Sequence, residues 1–507
     1  MKLSQHLKKL IALLVSLWIV LWIIIIQIKR NYDSIIDGGC LRLDGILTYF
    51  IAWIAVLLIF RWFKTHSFNT RNISISECKL VLLLFLIVFL PRYILISNFS
   101  VLQISDYEGY WEISQALFRG YPISDELKNY MATVAVNQLL ISKIFSISYL
   151  IWGNNVFAPL MLNIFFTFLY TYLFYKICNN FVGQKLSFIG AICLAVWPEN
   201  ILNSVYMLSE PMFLVFLFSG ILFYIKCKTA FTHYKWLFIS LSGLFLGLSE
   251  QLRSITTIFI ITFAILIICN IESKKKLMDD ILQLVVMLVF YNLVKYGYLY
   301  YVKQLLGGMS TPTFGWPLYL GTDITNWGSW SEKAALTLTQ VRNSNSVDNV
   351  QKEMLQKALI NISSYDLKTI IRLVLEKMYI LLGRGDGTYR DLQYIFVNSP
   401  EQILSGNIPA IIWSWGSLSN IIYLVLLNTF LLSTAFKSSI TDKLFFQLPF
   451  CGIMLLHCLI YISPRYQYPL LPLLLACNMI SLNSINSTEN KIFKFHLPGG
   501  NKCVIAK

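Results

Sequence analysis

The sequence is poor in charge: Asp, Glu, Lys and Arg make up 13% of its 507 residues, roughly half the share found in soluble domains. Hydrophobic residues reach 56%, too many for a chain folded in water with its apolar side chains inside. A cysteine framework is also missing. The 10 cysteines are scattered singly, with no CxxC pair and no metal-like spacing, which excludes a disulfide scaffold or a zinc module. Cys178, Cys193, Cys269, Cys451 and Cys477 fall in or beside apolar runs and read as small buried hydrophobes. No internal repeat is evident, which weakens an inverted-repeat transporter. No stretch remains that would form a conventional soluble enzyme domain.

What is present is a series of apolar runs long enough to span a bilayer. They lie near 10–28, 45–62, 79–97, 156–175, 186–203, 206–225, 236–251, 254–271, 280–300, 409–434, 444–462 and 466–483. The expected fold is therefore an all-α polytopic membrane protein with about twelve transmembrane helices. The first run follows Lys2, Lys8 and Lys9; it is too long for a signal-peptide core and no small-residue cleavage site follows, so it is expected to stay as a span. The net charge is +15. Its lysines and arginines cluster in short stretches between runs, such as Arg61/Lys64/Arg71, Lys176/Lys185, Lys226/Lys228/Lys235, Lys274–Lys276 and Lys437/Lys443. That is the positive-inside pattern, so nucleic acid is not an expected partner. The pattern holds if the diluted run 131–152, with Asn137, Gln138 and Lys143, is interfacial or re-entrant. Both termini are then cytoplasmic, and the expected location is the plasma membrane.

Two long segments fall outside on this topology. One is 98–155, whose opening part holds Asp106, Glu108, Glu112, Asp125 and Glu126. The other is 301–408, with amphipathic helices expected near 348–361 and 366–382; neither segment holds a cysteine or histidine. The unusual polar residues converge on the same side. Ser105-Asp106-Tyr107-Glu108 opens the first outer loop, and Trp197-Pro198-Glu199 ends an outward span. Ser209-Glu210-Pro211 starts the next span, while Glu250-Gln251-Leu252-Arg253 and Ser463-Pro464-Arg465-Tyr466 lie at outer hairpins. Charge near membrane depth is costly and faces protein or a wet cavity, so a lined cavity is expected there. Carboxylates in an Asp-x-Glu pattern suit a general base or a hard divalent cation. Arginines beside them suit a phosphate.

The order and sidedness of these motifs resemble the GT-C glycosyltransferases, within them the protein O-mannosyltransferase and aminoarabinose-transferase type. The resemblance runs over about 79–483. It begins with Ser105-Asp106-Tyr107-Glu108-Gly109-Tyr110-Trp111 and continues through Trp197-Pro198, Leu208-Ser209-Glu210-Pro211 and Gly243 to Gly247 and Arg253. It ends on Tyr319-Leu-Gly321, Asn326-Trp327-Gly328-Ser329-Trp330 and Arg465-Tyr466 with Pro469 and Pro472. Two spans precede the similar portion, the acidic motif is Asp-x-Glu rather than adjacent Asp-Glu, and no outer histidine is available to a metal.

The resemblance implies a polyprenyl-phosphate-linked sugar donor, a glycan, lipid or protein acceptor, membrane lipid around the donor tail, and inversion at the sugar. Asp106 is then the expected catalytic base. Arg465, Arg253 and Tyr466 are expected at the phosphate, and Glu108 and Glu210 at the sugar. Asp106, Glu108 and Glu210 are also the candidate ligands for a divalent metal ion. The implied organisation is an N-terminal pair of extra spans (1–78), a GT-C-like core (79–300), an outer helical loop domain (301–408), C-terminal spans (409–483) and a cytoplasmic tail (484–507). A lipid-linked glycan transporter, a glycan polymerase or ligase, and a non-catalytic membrane partner are the competing readings.

Overall fold

The computed structural model describes residues 2–36, 43–65, 76–309, 314–405, 409–434 and 443–487. Arg71, Lys437 and the tail beyond 487 lie outside them. The apolar runs fold as helices, the form in which a segment satisfies its own backbone groups in lipid. The chain opens with α1 (Lys2–Ile36), α2 (Leu43–Thr65) and α3 (Glu77–Asn98). The first loop carries α4 (Asp106–Arg119), α5 (Asp125–Thr133) and α6 (Gln138–Trp152). The centre is built by α7 (Phe157–Val182), α8 (Gln184–Ala195), the short α9 (Pro198–Leu202), α10 (Glu210–Thr229), α11 (Thr232–Leu252), α12 (Thr257–Cys269) and α13 (Lys274–Leu306). The long loop holds α14 (Gly315–Thr322), α15 (Glu332–Ser344), α16 (Val350–Ser364), α17 (Leu367–Leu382) and α18 (Gly387–Asn398). The chain closes with α19 (Pro409–Ser433), α20 (Leu444–Leu459) and α21 (Leu470–Ser487).

By length and apolarity, 5 described helices are fit to cross a membrane: Gln5–Arg30, Glu77–Asn98, Phe157–Val182, Glu210–Thr229 and Lys274–Leu306. A further span arises if α8 and the stretch Pro198–Val205, bent by 52°, count as one. The runs 254–271 and 444–462 overrun their helices, because α12 starts only at Thr257 and ends at Cys269, and the backbone leaves helical geometry at Ile460 after α20. What remains is 13 residues in α12 and 16 in α20, roughly 20–24 Å of helix against a hydrocarbon core of about 30 Å. The 131–152 run is likewise interrupted at 134–137, leaving 15 residues in α6.

The main core lies among α7, α8, α10, α20 and α21. Small residues let neighbouring helices close in. A Cβ added to Gly243 would stand 2.3 Å from the Met287 carbonyl oxygen, and one on Gly247 2.7 Å from Val294 Cβ. The Gly243–Gly247 spacing thus brings α11 against α13 as small-residue spacings do between membrane helices.

Polar side chains sort to the two ends of this bundle. At one end Lys8 Nζ donates to Asn270 Oδ1 at 3.0 Å, Lys176 pairs with Glu77 at 2.8 Å and Lys228 with Asp280 at 2.7 Å. At the other end the two long loops meet. Strand β1 (Ser100–Val101) pairs antiparallel with β2 (Ile403–Ser405), Ser100 opposite Ser405 and Val101 opposite Ile403. This ladder fastens the start of the first loop to the end of the second.

Lys377 on α17 is wholly buried where the loop domain meets α20. Its Nζ donates to the carbonyls of Gly321 and Cys458, both at 3.0 Å, so one ammonium serves the C-terminal turns of α14 and α20. Burial lowers its pKa from 10.5 to about 7. Between those values the unfolded chain holds a proton that the folded chain lacks, so stability rises with pH, by up to about 1.4 kcal/mol per unit. Wild type is expected to gain thermal stability in detergent from pH 7 to pH 10. Lys377→Met is expected to lose that gain, and parallel profiles would show that the buried ammonium carries no such cost.

Candidate active site

Each acid of this site begins a helix. Asp106 is the first residue of α4 and Glu210 the first of α10, where the helix dipole favours negative charge. The backbone before Asp106 is unusual: Ser105 has φ 57° and ψ −126°, a region nearly closed to residues with a Cβ and costing about 1–3 kcal/mol. It turns the chain sharply out of the first loop strand so that Asp106 faces the bundle end.

Arg465 meets it there. The residue lies in a single 3-10 turn, Pro464–Gln467, between α20 and α21. Its Nη2 donates to Asp106 Oδ2 at 2.7 Å and its Nη1 to the Tyr107 hydroxyl at 3.1 Å. Burial opposes the Arg465 charge, but Tyr107, Asp106 and Glu210 outweigh it and raise its pKa; the guanidinium stays charged. A second pair stands beside the first. Arg253, just past α11, donates through Nη2 to Glu210 Oε1 and through Nε to the Ser209 hydroxyl at 3.1 Å.

Tyr466 is shared by both pairs. Its ring centroid is 5.6 Å from the Arg253 guanidinium carbon and 5.9 Å from that of Arg465. The His457 ring stacks on it at 4.8 Å, and Tyr461 meets it edge-on at 5.6 Å. Tyr107 stacks on Tyr206 at 5.1 Å. The floor of the site is therefore aromatic and its working groups are two carboxylates and two guanidiniums.

The structure thus brings together Asp106, Glu210, Arg253, Arg465 and Tyr466 from separate parts of the chain. Glu108 is different: it is exposed, and no described group pairs with it. Positions two apart on a helix do not share a face, so an Asp-x-Glu pair that starts a helix splits. Glu250 pairs with Lys295 at 3.6 Å on the α11–α13 contact. Glu199 accepts from the Thr388 backbone N–H at the start of α18. Among the described residues no group of three His, Cys, Asp or Glu side chains is placed to hold a metal ion. The three candidate metal ligands stand apart: Asp106 and Glu210 each face a guanidinium, and Glu108 is exposed.

Sequence reasoning missed three groups. His457 lies in an apolar run and is carried to the site by the early end of α20, so a histidine does stand at this end. Arg92 on α3 is wholly buried, donating to the carbonyls of Val88 at 3.0 Å and Ala195 at 2.9 Å. Below the site Tyr170 and Tyr468 share a hydrogen bond of 3.2 Å. A lone arginine inside an apolar run was the signal for this layer. The third group, around Asp386, had no signal.

No family model matches this sequence, and no curated protein matches it. Among solved structures, the chain is similar to ArnT from Cupriavidus metallidurans bound to undecaprenyl phosphate, with 9% identity, a TM-score of 0.39, and coverage of 82% of this chain and 79% of that one. It is similar to the archaeal oligosaccharyltransferase AglB from Archaeoglobus fulgidus in complex with an inhibitory peptide and a dolichol-phosphate, with 11% identity, a TM-score of 0.42, and coverage of 80% and 50%. An Archaeoglobus fulgidus oligosaccharyltransferase in complex with Zn and sulfate matches at 11% identity and a TM-score of 0.30, with coverage of 79% and 53%. The chain spans about half the length of these two archaeal proteins. Likenesses this distant decide no chemistry, and the functional reading rests on the site itself.

Proposed function

We propose that this chain is a GT-C-type membrane glycosyltransferase. It moves a sugar from a polyprenyl-phosphate donor to a glycan, lipid or protein acceptor at the extracytoplasmic face, with inversion at the anomeric carbon. One observation carries the reading: the Asp106–Arg465 pair stands beside the Glu210–Arg253 pair at one end of the helix bundle.

The donor phosphate enters between the two guanidiniums, whose planar forks match its oxygens. Arg465 then exchanges Asp106 for phosphate, so donor arrival frees the carboxylate. Asp106 Oδ2 takes the acceptor hydroxyl proton as the acceptor oxygen attacks the anomeric carbon. The bond from that carbon to the phosphate oxygen breaks on the opposite side, and the electron pair leaves with the phosphate against Arg465. Tyr466 offers its ring to both guanidiniums. No step runs through a metal, since the candidate ligands do not converge.

A transporter would place its polar groups on broken helices near the bilayer midplane. Here Glu210 begins a helix, Arg253 follows one and Arg465 joins two. The test is sugar release from a panel of polyprenyl mono- and diphosphate sugars by the chain in nanodiscs, with and without chelator. One donor is expected to turn over, unaffected by chelator, with Asp106→Asn slowed by roughly 100- to 10,000-fold. Labelled lipid crossing the bilayer without sugar release would favour transport instead.

A further inference from the structure

A second set of cations lies beside this site, built from segments that the Asp106–Arg465 pair does not use. Asp386 precedes α18 and is buried. Arg384 grips it in a fork, Nε to Oδ1 and Nη2 to Oδ2, each 3.1 Å. Asn420 donates to the same carboxylate at 2.6 Å, and Arg390 Nε lies 3.9 Å from it. Arg30, near the end of α1, adds a third guanidinium that Asp386 attracts and Arg384 repels. Among the described residues its buried Nη1 has no hydrogen-bond partner. Lys29 beside it is already paired with Glu376 at 3.0 Å. Asp391, the next acid, is exposed and is shared electrostatically between Arg390 and Arg465.

Three guanidiniums face two carboxylates, Asp386 and Asp391, which leaves one positive charge in excess. A buried donor without an acceptor is costly to keep, and a guanidinium in that state is poised for an anion. The position on α1 adds to this. Arg30 stands at the opposite end of the helix from Lys2, Lys8 and Lys9, the end at which a membrane chain with an inside N-terminus carries few basic residues. The group is also tied to the first site: Gln467, two residues after Arg465, donates to the Arg384 carbonyl.

We propose that Arg30, Arg384 and Arg390 form a second phosphate site, which takes the lipid-side phosphate of a diphosphate-linked sugar donor. Arg465 and Arg253 face the phosphate that carries the sugar, and Arg30, at the head of a membrane helix, faces the one that carries the polyprenyl chain. This inference rests on the glycosyltransferase reading and narrows its donor. A bilayer phospholipid headgroup offers the same phosphate chemistry, so the test separates the two.

Equilibrium binding of polyprenyl monophosphate and polyprenyl diphosphate would be measured on the full chain in nanodiscs of zwitterionic lipid. Wild type is expected to prefer the diphosphate by about ten-fold or more, the effect of one added charge-assisted contact. Arg30→Gln and Arg390→Gln are each expected to erase that preference while leaving monophosphate binding as it was. Arg390 is exposed, so its variant keeps the test available should Arg30→Gln fail to fold. A wild type without preference, or variants that keep it, would overturn the second site while monophosphate binding upholds the transferase reading. Loss of the preference in wild type when phosphatidylglycerol is added to the disc would assign the site to bilayer headgroups and overturn the donor assignment. Failure of every protein to bind either lipid would overturn both readings together.

Discussion

Arg465→Ala is expected to lower sugar release by about 100-fold or more, the usual cost of removing one preorganised donor from developing charge. The loss should appear in kcat as well as in donor affinity, because the leaving phosphate gains charge only as its bond to the sugar breaks. Arg465→Lys keeps a point charge but not the fork, so it is expected to recover only part of the rate. Collapse of the turn is a poor explanation for such a loss. Its backbone is closed by the Tyr466 N–H on the Ser463 carbonyl at 3.0 Å and the Tyr468 N–H on the Arg465 carbonyl at 3.1 Å, neither of which needs the arginine side chain. Thermal unfolding in detergent checks that point. A variant that folds and turns over like wild type would remove Arg465 from the phosphate and leave it as a counterion to Asp106.

The residues that stood out in the sequence did so because lipid makes charge conspicuous. Asp106, Glu210, Arg253 and Arg465 each interrupt the end of an apolar run, and a charge there needs a reason. Sequence could not pair them. Asp106 and Arg465 are 359 residues apart, and which acid meets which guanidinium depends on how the helices are arranged, not on any local spacing. Glu108 shows the converse error. Proximity in sequence suggested a joint ligand set, yet the helix that starts at Asp106 turns Glu108 aside.

His457 was hidden by its surroundings, since an apolar run gives no sign of where its helix will stop. Nothing in the local sequence marks Arg384, Asp386 and Arg390 as a cluster, or Lys377 as a buried residue of its helix. Burial of Asp386 and of Lys377 comes from docking of the loop domain onto α19 and α20, a long-range contact without a periodic signature. Two helices of that domain, expected near 348–361 and 366–382 and found at 350–364 and 367–382, were legible because their apolar spacing and their caps are local. Asp366, for instance, accepts from the Thr369 N–H at 2.8 Å, a cap readable from sequence.

The Glu210–Arg253 pair separates stability from chemistry. Glu210→Ala is expected to destabilise the fold by about 3 kcal/mol, the lower end for breaking a buried ion pair. The lower end applies because Arg253 keeps 17% of its side chain exposed and retains the Ser209 hydroxyl at 3.1 Å. Removing both charges is a different event. Glu210→Ala with Arg253→Ala leaves no stranded cation, so most of the lost stability should return, as it does when a buried pair is replaced whole. Activity is expected not to return with it. If Arg253 grips the donor phosphate, the double variant is stable and still slow, and the gap between its melting temperature and its rate isolates the phosphate contact. A double variant that is both stable and fast would make this pair a strut between α10 and α11. The whole charge of the leaving phosphate would then fall to Arg465.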